Sequence, residues 1–329
     1  MSETYDVIGI GNAVVDVLSA ADDNFLDIMG IEKGIMQLVE QTRAETLYAA
    51  MDARRQAAGG SVANTLAGLG MLGLRTGFIG RVRDDALGRF YAAEMEKEGT
   101  SFLNPPVPQG ELPTSRSMIF ITPDGERSMN TYLGISSEVG GGDVDDTAVS
   151  RSRILFLEGY LYDKDKGKEA FERAASACHE GGGKAGIALS DPFCVDRHRR
   201  DFRRLVTTLD YVIGNAAEWK SLYQCDDLDE ALAAAARDCR LVVCTHSGEP
   251  VILIEDETRV EVPVTPATPV DATGAGDQFA AGFLYGYATG QPLAVAGKMG
   301  CVAAAEVIGH IGPRPEANVQ HLFRQAGLI

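Results

Sequence analysis

Short apolar runs alternate with amphipathic stretches along most of this chain. Tyr5–Ile10, Thr76–Ile79, Ile154–Leu157, Ala185–Leu189, Tyr211–Ile213 and Leu241–Cys244 have strand length and no helical period. Between them, Thr42–Arg55, Ser61–Gly73, Asp85–Glu98, Lys168–Glu180, Ala216–Tyr223 and Leu228–Asp238 space their apolar residues as helices do. Beyond Gly274 the pattern is helical throughout, over Asp277–Thr289, Leu293–Ile308 and Glu316–Ala326. Buried strands alternating with helices predict an α/β fold: a mostly parallel central sheet with helices on both faces.

Two stretches break this rhythm. Ser115–Thr122 and Glu126–Leu133 flank Pro123-Asp124-Gly125, a hairpin signal. Residues 12–41 lack a clean helical period. Together, segments of about 12–41 and 110–135 predict a small β-sheet lid inserted into a single domain that spans 1–329. The four prolines within 99–113 mark an exposed connector.

Charge and cysteine usage narrow the partners. The net charge of −17 argues against nucleic acid, whose phosphates need clustered Lys and Arg, and against an anionic membrane surface. It leaves room for a small anion such as ATP, which needs only local donors. The six cysteines form no C-x-x-C pair, so a zinc knuckle or redox pair is not expected and reduced thiols of the cytoplasm are. The start MSETYDVIGIG lacks the basic segment and apolar run of a leader, and no run approaches the ~18 apolar residues of a membrane span. Monomer and homodimer both stay open.

The chemistry concentrates in Asp271-Ala272-Thr273-Gly274-Ala275-Gly276-Asp277, which opens a helix. Small residues there leave backbone N–H groups uncovered, and with the helix dipole they make a cradle for anionic oxygens. A carboxylate in the first turn, Asp277, is placed to take the proton of an attacking hydroxyl. Taken alone, the segment also reads as a plain Gly-rich turn capping a helix. Its companion is Gly59-Gly60-Ser61-Val62-Ala63-Asn64. Paired glycines there suit a hinge or a close approach of ligand to backbone. Asn64 adds an amide, and Ser61 alternatively reads as a helix N-cap.

Together the two segments resemble the PfkB (ribokinase-like) family of carbohydrate and nucleoside kinases, whose motifs occur here in order from Gly11 to the C-terminal helices. The resemblance implies ATP with Mg²⁺ as phosphoryl donor and transfer to a primary alcohol. It implies Asp277 as general base and the amides of Gly274, Ala275 and Gly276 as the anion hole. Gly59 and Gly60 would be the lid hinge. Asn215 and Glu218 match the family's N-x-x-E and would order the metal and its waters, or are an Asn helix cap with Glu in its first turn. Thr245 and Gly248 fall at the nucleotide-contacting turn. Many relatives hold a monovalent cation, K⁺, beside the residue matching Asp271 and the loop 308–313. Two positions depart from the usual pattern: Ala272 stands where Thr is common, and Arg83 where Gly is.

The acceptor is read from Gly9-Ile10-Gly11-Asn12-Ala13-Val14-Val15-Asp16. An amide and a carboxylate can bracket vicinal hydroxyls. This spacing resembles the adenosine kinase branch, where such residues hold the ribose. Lys33–Leu38 and Glu126–Gly134 resemble the lid of bacterial adenosine kinase-like members. Asn12, Asp16, Gly59, Gly60 and Asn64 are therefore the expected acceptor-binding residues. Met36, Leu38 and Tyr160 either sandwich a purine or are ordinary packing. Adenosine is the expected acceptor. A sugar (ribose, fructose or 2-keto-3-deoxygluconate) is the alternative, and a catalytically inactive sensor the second.

Other motifs carry less. Gly9-x-Gly11 lacks the third Gly of a dinucleotide fold, where Val14 stands. Gly181-Gly182-Gly183-Lys184 lacks the hydroxyl residue of a P-loop, and Asp143, Asp145 and Asp146 lack the Gly and Glu of a calcium loop.

Overall fold

A computed structural model describes residues 4–329; the first three residues of the start read above lie outside it. Fourteen strands are formed among the described residues. In chain order they are β1 (Val7–Ile10), β2 (Val14–Ala20), β3 (Met36–Leu38), β4 (Arg55–Gly59), β5 (Thr76–Ile79), β6 (Thr100–Phe102), β7 (Ser115–Ile121) and β8 (Arg127–Tyr132). The rest are β9 (Ile154–Glu158), β10 (Lys184–Ala188), β11 (Tyr211–Asn215), β12 (Leu241–His246), β13 (Glu249–Glu255) and β14 (Thr258–Val262).

Nine of them form one sheet in the order β14-β13-β12-β11-β10-β9-β1-β5-β6. The pairs from β6 to β12 are parallel, with Ile8 opposite both Gly77 and Leu155, so the inner strands are buried on both faces. That is why they read as short unbroken apolar runs. Two hydrophobic clusters cover the two faces. One centres on Val62, Leu66, Phe156, Phe279 and Phe283, the other on Ile8, Leu155, Phe171, Phe202 and Trp219. The strands β13 and β14 join antiparallel and were not foreseen. β14 alternates Val with Thr, Arg and Glu as an edge strand does, whereas β13 carries the unbroken apolar run Val251–Ile254, buried like the inner strands, so its signal was present in the sequence.

The other five strands form a separate sheet, β3-β8-β7-β2-β4. The foreseen hairpin is its centre, with Met118 opposite Asn130. One expectation is corrected here. The helix read over Thr42–Arg55 ends at Ala50, and Arg55–Gly59 instead pairs antiparallel with β2, Asp16 facing Ala57. The residues Arg55-Gln56-Ala57-Ala58 suit a helix locally, and pairing with β2 overrides that preference. Among the described residues no helix is long and apolar enough to cross a membrane.

Candidate active site

The carboxyl ends of parallel strands are where α/β sheets bind ligands, because the loops there diverge and leave a crevice. Asn12 follows β1, Glu158 ends β9, Ser190 follows β10, Asn215 ends β11 and Thr245 lies near the end of β12. The Ala275–Ala288 helix points its N-terminus at this crevice. Gly274 precedes it in the left-handed region at φ 80°, where a Cβ would also lie 2.5 Å from Pro313 Cα. Only glycine meets both demands. Among the described residues the amides of Gly274 and Gly276 have no partner, while the Ala275 N–H donates to the Ala272 carbonyl at 3.2 Å.

Asp277 is held from two sides. Ser61 Oγ donates to its Oδ1 at 2.6 Å and Asn64 Nδ2 donates to its Oδ2 at 3.0 Å. Ser61 is thus spent on Asp277 and does not cap its own helix, Ser61–Met71, which Gly60 precedes at φ 103°. A Cβ on Gly60 would come within 2.2 Å of the Asn12 carbonyl oxygen, so the glycine is required by space and by backbone angle together. Burial pushes the Asp277 carboxyl up to about 6, although the two donors pull it back down.

Two cavities meet at this carboxylate. The smaller, about 180 Å³, is lined by Gly276, Asp277, Asn215, Glu218, Thr245 and Ser190 among others. The larger, about 680 Å³, opens between the two sheets and takes in Asn12, Asp16, Gly60, Asn64, Glu158 and Asp277. Met36, Leu38, Tyr160 and Phe193 also line it. Met36, Leu38 and Phe193 stand 47%, 57% and 74% exposed, an apolar rim with nothing packed over it. The Asp16 carboxylate has no hydrogen-bond partner among the described residues. Its carboxyl is pushed up to about 7 by burial, with Arg314 and Arg127 pulling it down and Asp277 adding to the rise.

Other expected residues have more occupied groups. Asn12 Nδ2 donates to Glu158 Oε1 at 2.7 Å and its Oδ1 accepts from Ser136 Oγ at 3.0 Å, leaving one amide hydrogen and one lone pair free. Asn215 and Glu218 form a reciprocal helix cap. Asn215 Oδ1 accepts from the Glu218 N–H at 2.9 Å and Glu218 Oε2 from the Asn215 N–H at 2.8 Å. Burial raises the Glu218 carboxyl to about 7. Thr245 lines the smaller cavity, whereas Gly248 lies in the β12–β13 turn and lines neither. Asp271 Oδ1 accepts from Thr273 and its Oδ2 from the Gly312 N–H at 2.9 Å, and Arg127 pairs with Oδ2 at 3.0 Å. Burial works to raise this carboxyl, but Thr273, Gly312 and Arg127 together hold it below its usual range.

No group of three His, Cys, Asp or Glu among the described residues forms a metal cage by itself. Asn215 and Glu218, already bonded to each other, suit a Mg²⁺ that keeps its waters and arrives on phosphates.

Glu158, Arg127, Phe193 and Arg314 belong to the site and were missed. Glu158 carried a usable signal: it is a carboxylate closing the apolar run Ile154–Leu157, at the end of the strand where ligands bind. It is 1% exposed and accepts from Asn12 and from the Val62 N–H, and burial raises it to about 7. Arg127, Phe193 and Arg314 come from segments whose meeting at the site no local pattern records.

Residues 28–319 match the sequence profile of the pfkB family carbohydrate kinase. The chain superposes on a probable sugar kinase from Rhizobium etli with a TM-score of 0.90 at 42% identity, covering 99% of this chain and 100% of that one. It superposes on the adenosine kinase from Sinorhizobium meliloti with a TM-score of 0.89 at 45% identity, covering 98% and 100%. A 5-dehydro-2-deoxygluconokinase from Geobacillus kaustophilus is 28% identical over 263 residues, 76% of this chain and 78% of that protein.

Proposed function

The chain belongs to the pfkB family of carbohydrate kinases, and from that premise we propose that it phosphorylates the 5′-hydroxyl of adenosine at the expense of ATP. Transfer of a phosphoryl group to an alcohol is the chemistry of the family and of its kinase relatives. The finer reading rests on one observation: Asp277 stands on the wall between two cavities, and the larger holds an unpartnered carboxylate, Asp16, below an exposed apolar rim. A carboxylate that only accepts suits a ribose diol, which offers two hydroxyls. Met36, Leu38, Tyr160 and Phe193 offer apolar surface to a flat base. The 45% identity to an adenosine kinase supports the same acceptor.

In this reading the acceptor lies in the larger cavity with its primary hydroxyl beside Asp277. The nucleotide extends from the smaller cavity towards Asn215, Glu218 and Thr245. Asp277, ionised above about pH 6, accepts the hydroxyl proton as the oxygen attacks phosphorus. The uncovered amides of Gly274 and Gly276 meet the charge on the transferring group. A divalent metal arriving with the phosphates would neutralise charge on the donor. Asn215 and Glu218 would hold it through its waters. Asp271, already paired with Arg127, would share its carboxylate with any K⁺ bound nearby. The five-stranded sheet acts as a lid hinged at Gly59-Gly60 and keeps water from the phosphate.

A sugar acceptor is the second reading, favoured by Ser117, Thr131, Asp163 and Asp191 around the same cavity. ATP consumption measured with adenosine, ribose, fructose and 2-keto-3-deoxygluconate, with Mg²⁺ and with or without K⁺, decides between them. The highest kcat/KM is expected for adenosine. A higher value for one of the sugars reassigns the acceptor, and binding without turnover of any of them makes the protein a sensor.

A further inference from the structure

Behind the site lies a cation that no motif singled out. Arg314 sits between the helices Leu293–Val307 and Val319–Gln325, with its side chain 15% exposed. Its Nε donates to Asn64 Oδ1 at 3.2 Å, its Nη1 pairs with Glu98, and its Nη2 faces Met95 Sδ at 4.0 Å. The same crossing is fastened a second time. Gln278 Nε2 donates to the backbone carbonyls of both Asn64 and Pro313, each at 3.0 Å.

The chemistry of these groups permits one arrangement. A guanidinium only donates and a carboxylate only accepts. The Asn64 amide lies between Arg314 and Asp277, so its oxygen must face the first and its N–H₂ the second. Without the guanidinium, nothing on that side prevents the amide from turning its oxygen towards Asp277, where two acceptors would oppose each other.

We propose that Arg314 is a positioning residue for phosphoryl transfer: it fixes the Asn64 amide against Asp277 and supplies the buried positive charge that Asp16 faces. The inference rests on the reading of Asp277 as base and Asp16 as acceptor ligand. The charged and titratable groups around Asp16 are Arg314 from the C-terminal segment, Arg127 from β8, Asp277 from the Ala275–Ala288 helix, and Tyr91 from the Ala86–Lys97 helix. Burial raises the Asp16 carboxyl, and Arg314 is the largest influence opposing that rise. Arg314 therefore acts on the pH dependence of acceptor binding through Asp16 and on turnover through Asn64.

Three variants test it: Arg314→Met, Arg314→Lys, and Arg314→Met with Glu98→Gln, which leaves no unpaired carboxylate at position 98. Acceptor affinity is measured by calorimetry, and kcat by steady-state kinetics, from about pH 6 to 9. The acceptor is whichever compound of the panel binds the wild-type enzyme. Both Met variants are expected to bind it about tenfold more weakly at neutral pH and to recover at high pH, since one unit of displaced titration is a factor of ten. Their kcat should fall roughly ten- to a hundredfold, the range for losing a hydrogen bond to a charged group. Arg314→Lys should restore the affinity profile but not kcat. An unmoved affinity profile in a folded Met variant overturns the inference, as do Lys and Met variants that behave alike. If none of the three folds, Arg314 is a structural cation only. Asp277→Asn, assayed beside them, keeps the two ideas apart: full turnover there removes the base, while the affinity profile still reports on Arg314 and Asp16.

Discussion

Asp277 must be ionised to accept a proton, and burial holds its carboxyl near 6. In the proposed role, kcat falls about tenfold per pH unit below that value. Asp277→Asn should lower kcat by ~10²–10⁴ with acceptor affinity largely kept, both read from steady-state kinetics and calorimetry. Glu158 makes a different statement, about stability. Its folded pKa, about 7, lies above the ordinary 4.5. Its contribution is therefore complete below about pH 4.5 and is lost as the pH rises through about 7. Glu158→Gln keeps one acceptor oxygen and loses one of the contacts to Asn12 or Val62. Urea unfolding should show the variant weaker than wild type at pH 5 and recovering by a few kcal/mol relative to it at pH 8. A difference that does not change with pH would mean the carboxyl titrates normally.

At the scale of elements, two helix beginnings converge on Asp277. The Ser61–Met71 helix brings Ser61 and Asn64, and the Ala275–Ala288 helix brings Asp277 and the uncovered amides. Their glycines are required for different reasons, which separates two substitutions. Gly60→Ala places a methyl against the Asn12 carbonyl at a backbone angle other residues avoid. It should cost at least about 1–3 kcal/mol, seen as a lower thermal midpoint. A Cβ on Gly276 meets nothing within 4 Å, and its residue is helical. Gly276→Val should leave stability within about 1 kcal/mol while lowering kcat, because the side chain fills the space proposed for the phosphoryl group. Equal losses of stability in the two variants would contradict this distinction. At this scale, much of the site was legible. The GAGD and GG-x-x-x-N segments are contiguous, and the need for small residues at a helix mouth is a local matter. The strand β4 was not legible, because its residues favour a helix until β2 pairs with them.

At the scale of the molecule, the larger cavity lies between two sheets that share no strand. Among the ties between them are the ion pair of Arg127 with Asp271 and the Gly59-Gly60 connection. Acceptor binding should therefore slow amide hydrogen exchange in β7 and β8 of the smaller sheet. The inner strand β9, paired on both sides, should change little. Uniform protection of both sheets would argue against a lid that moves as a unit.

The chain order of apolar runs by itself determined the parallel sheet, because strands buried on both faces must be apolar along their whole length. It also determined the glycine turn at the mouth of the Ala275–Ala288 helix, because the demand for glycine is set by the backbone of that turn. The tertiary structure alone decided which distant groups share the site. Glu158 lies 146 and 96 positions along the chain from Asn12 and Val62, Arg127 lies 144 from Asp271, and Arg314 lies 250 from Asn64. Hydrogen bonds and ion pairs over such separations follow from the packing of whole layers, which leaves no periodic trace in the residues that make them.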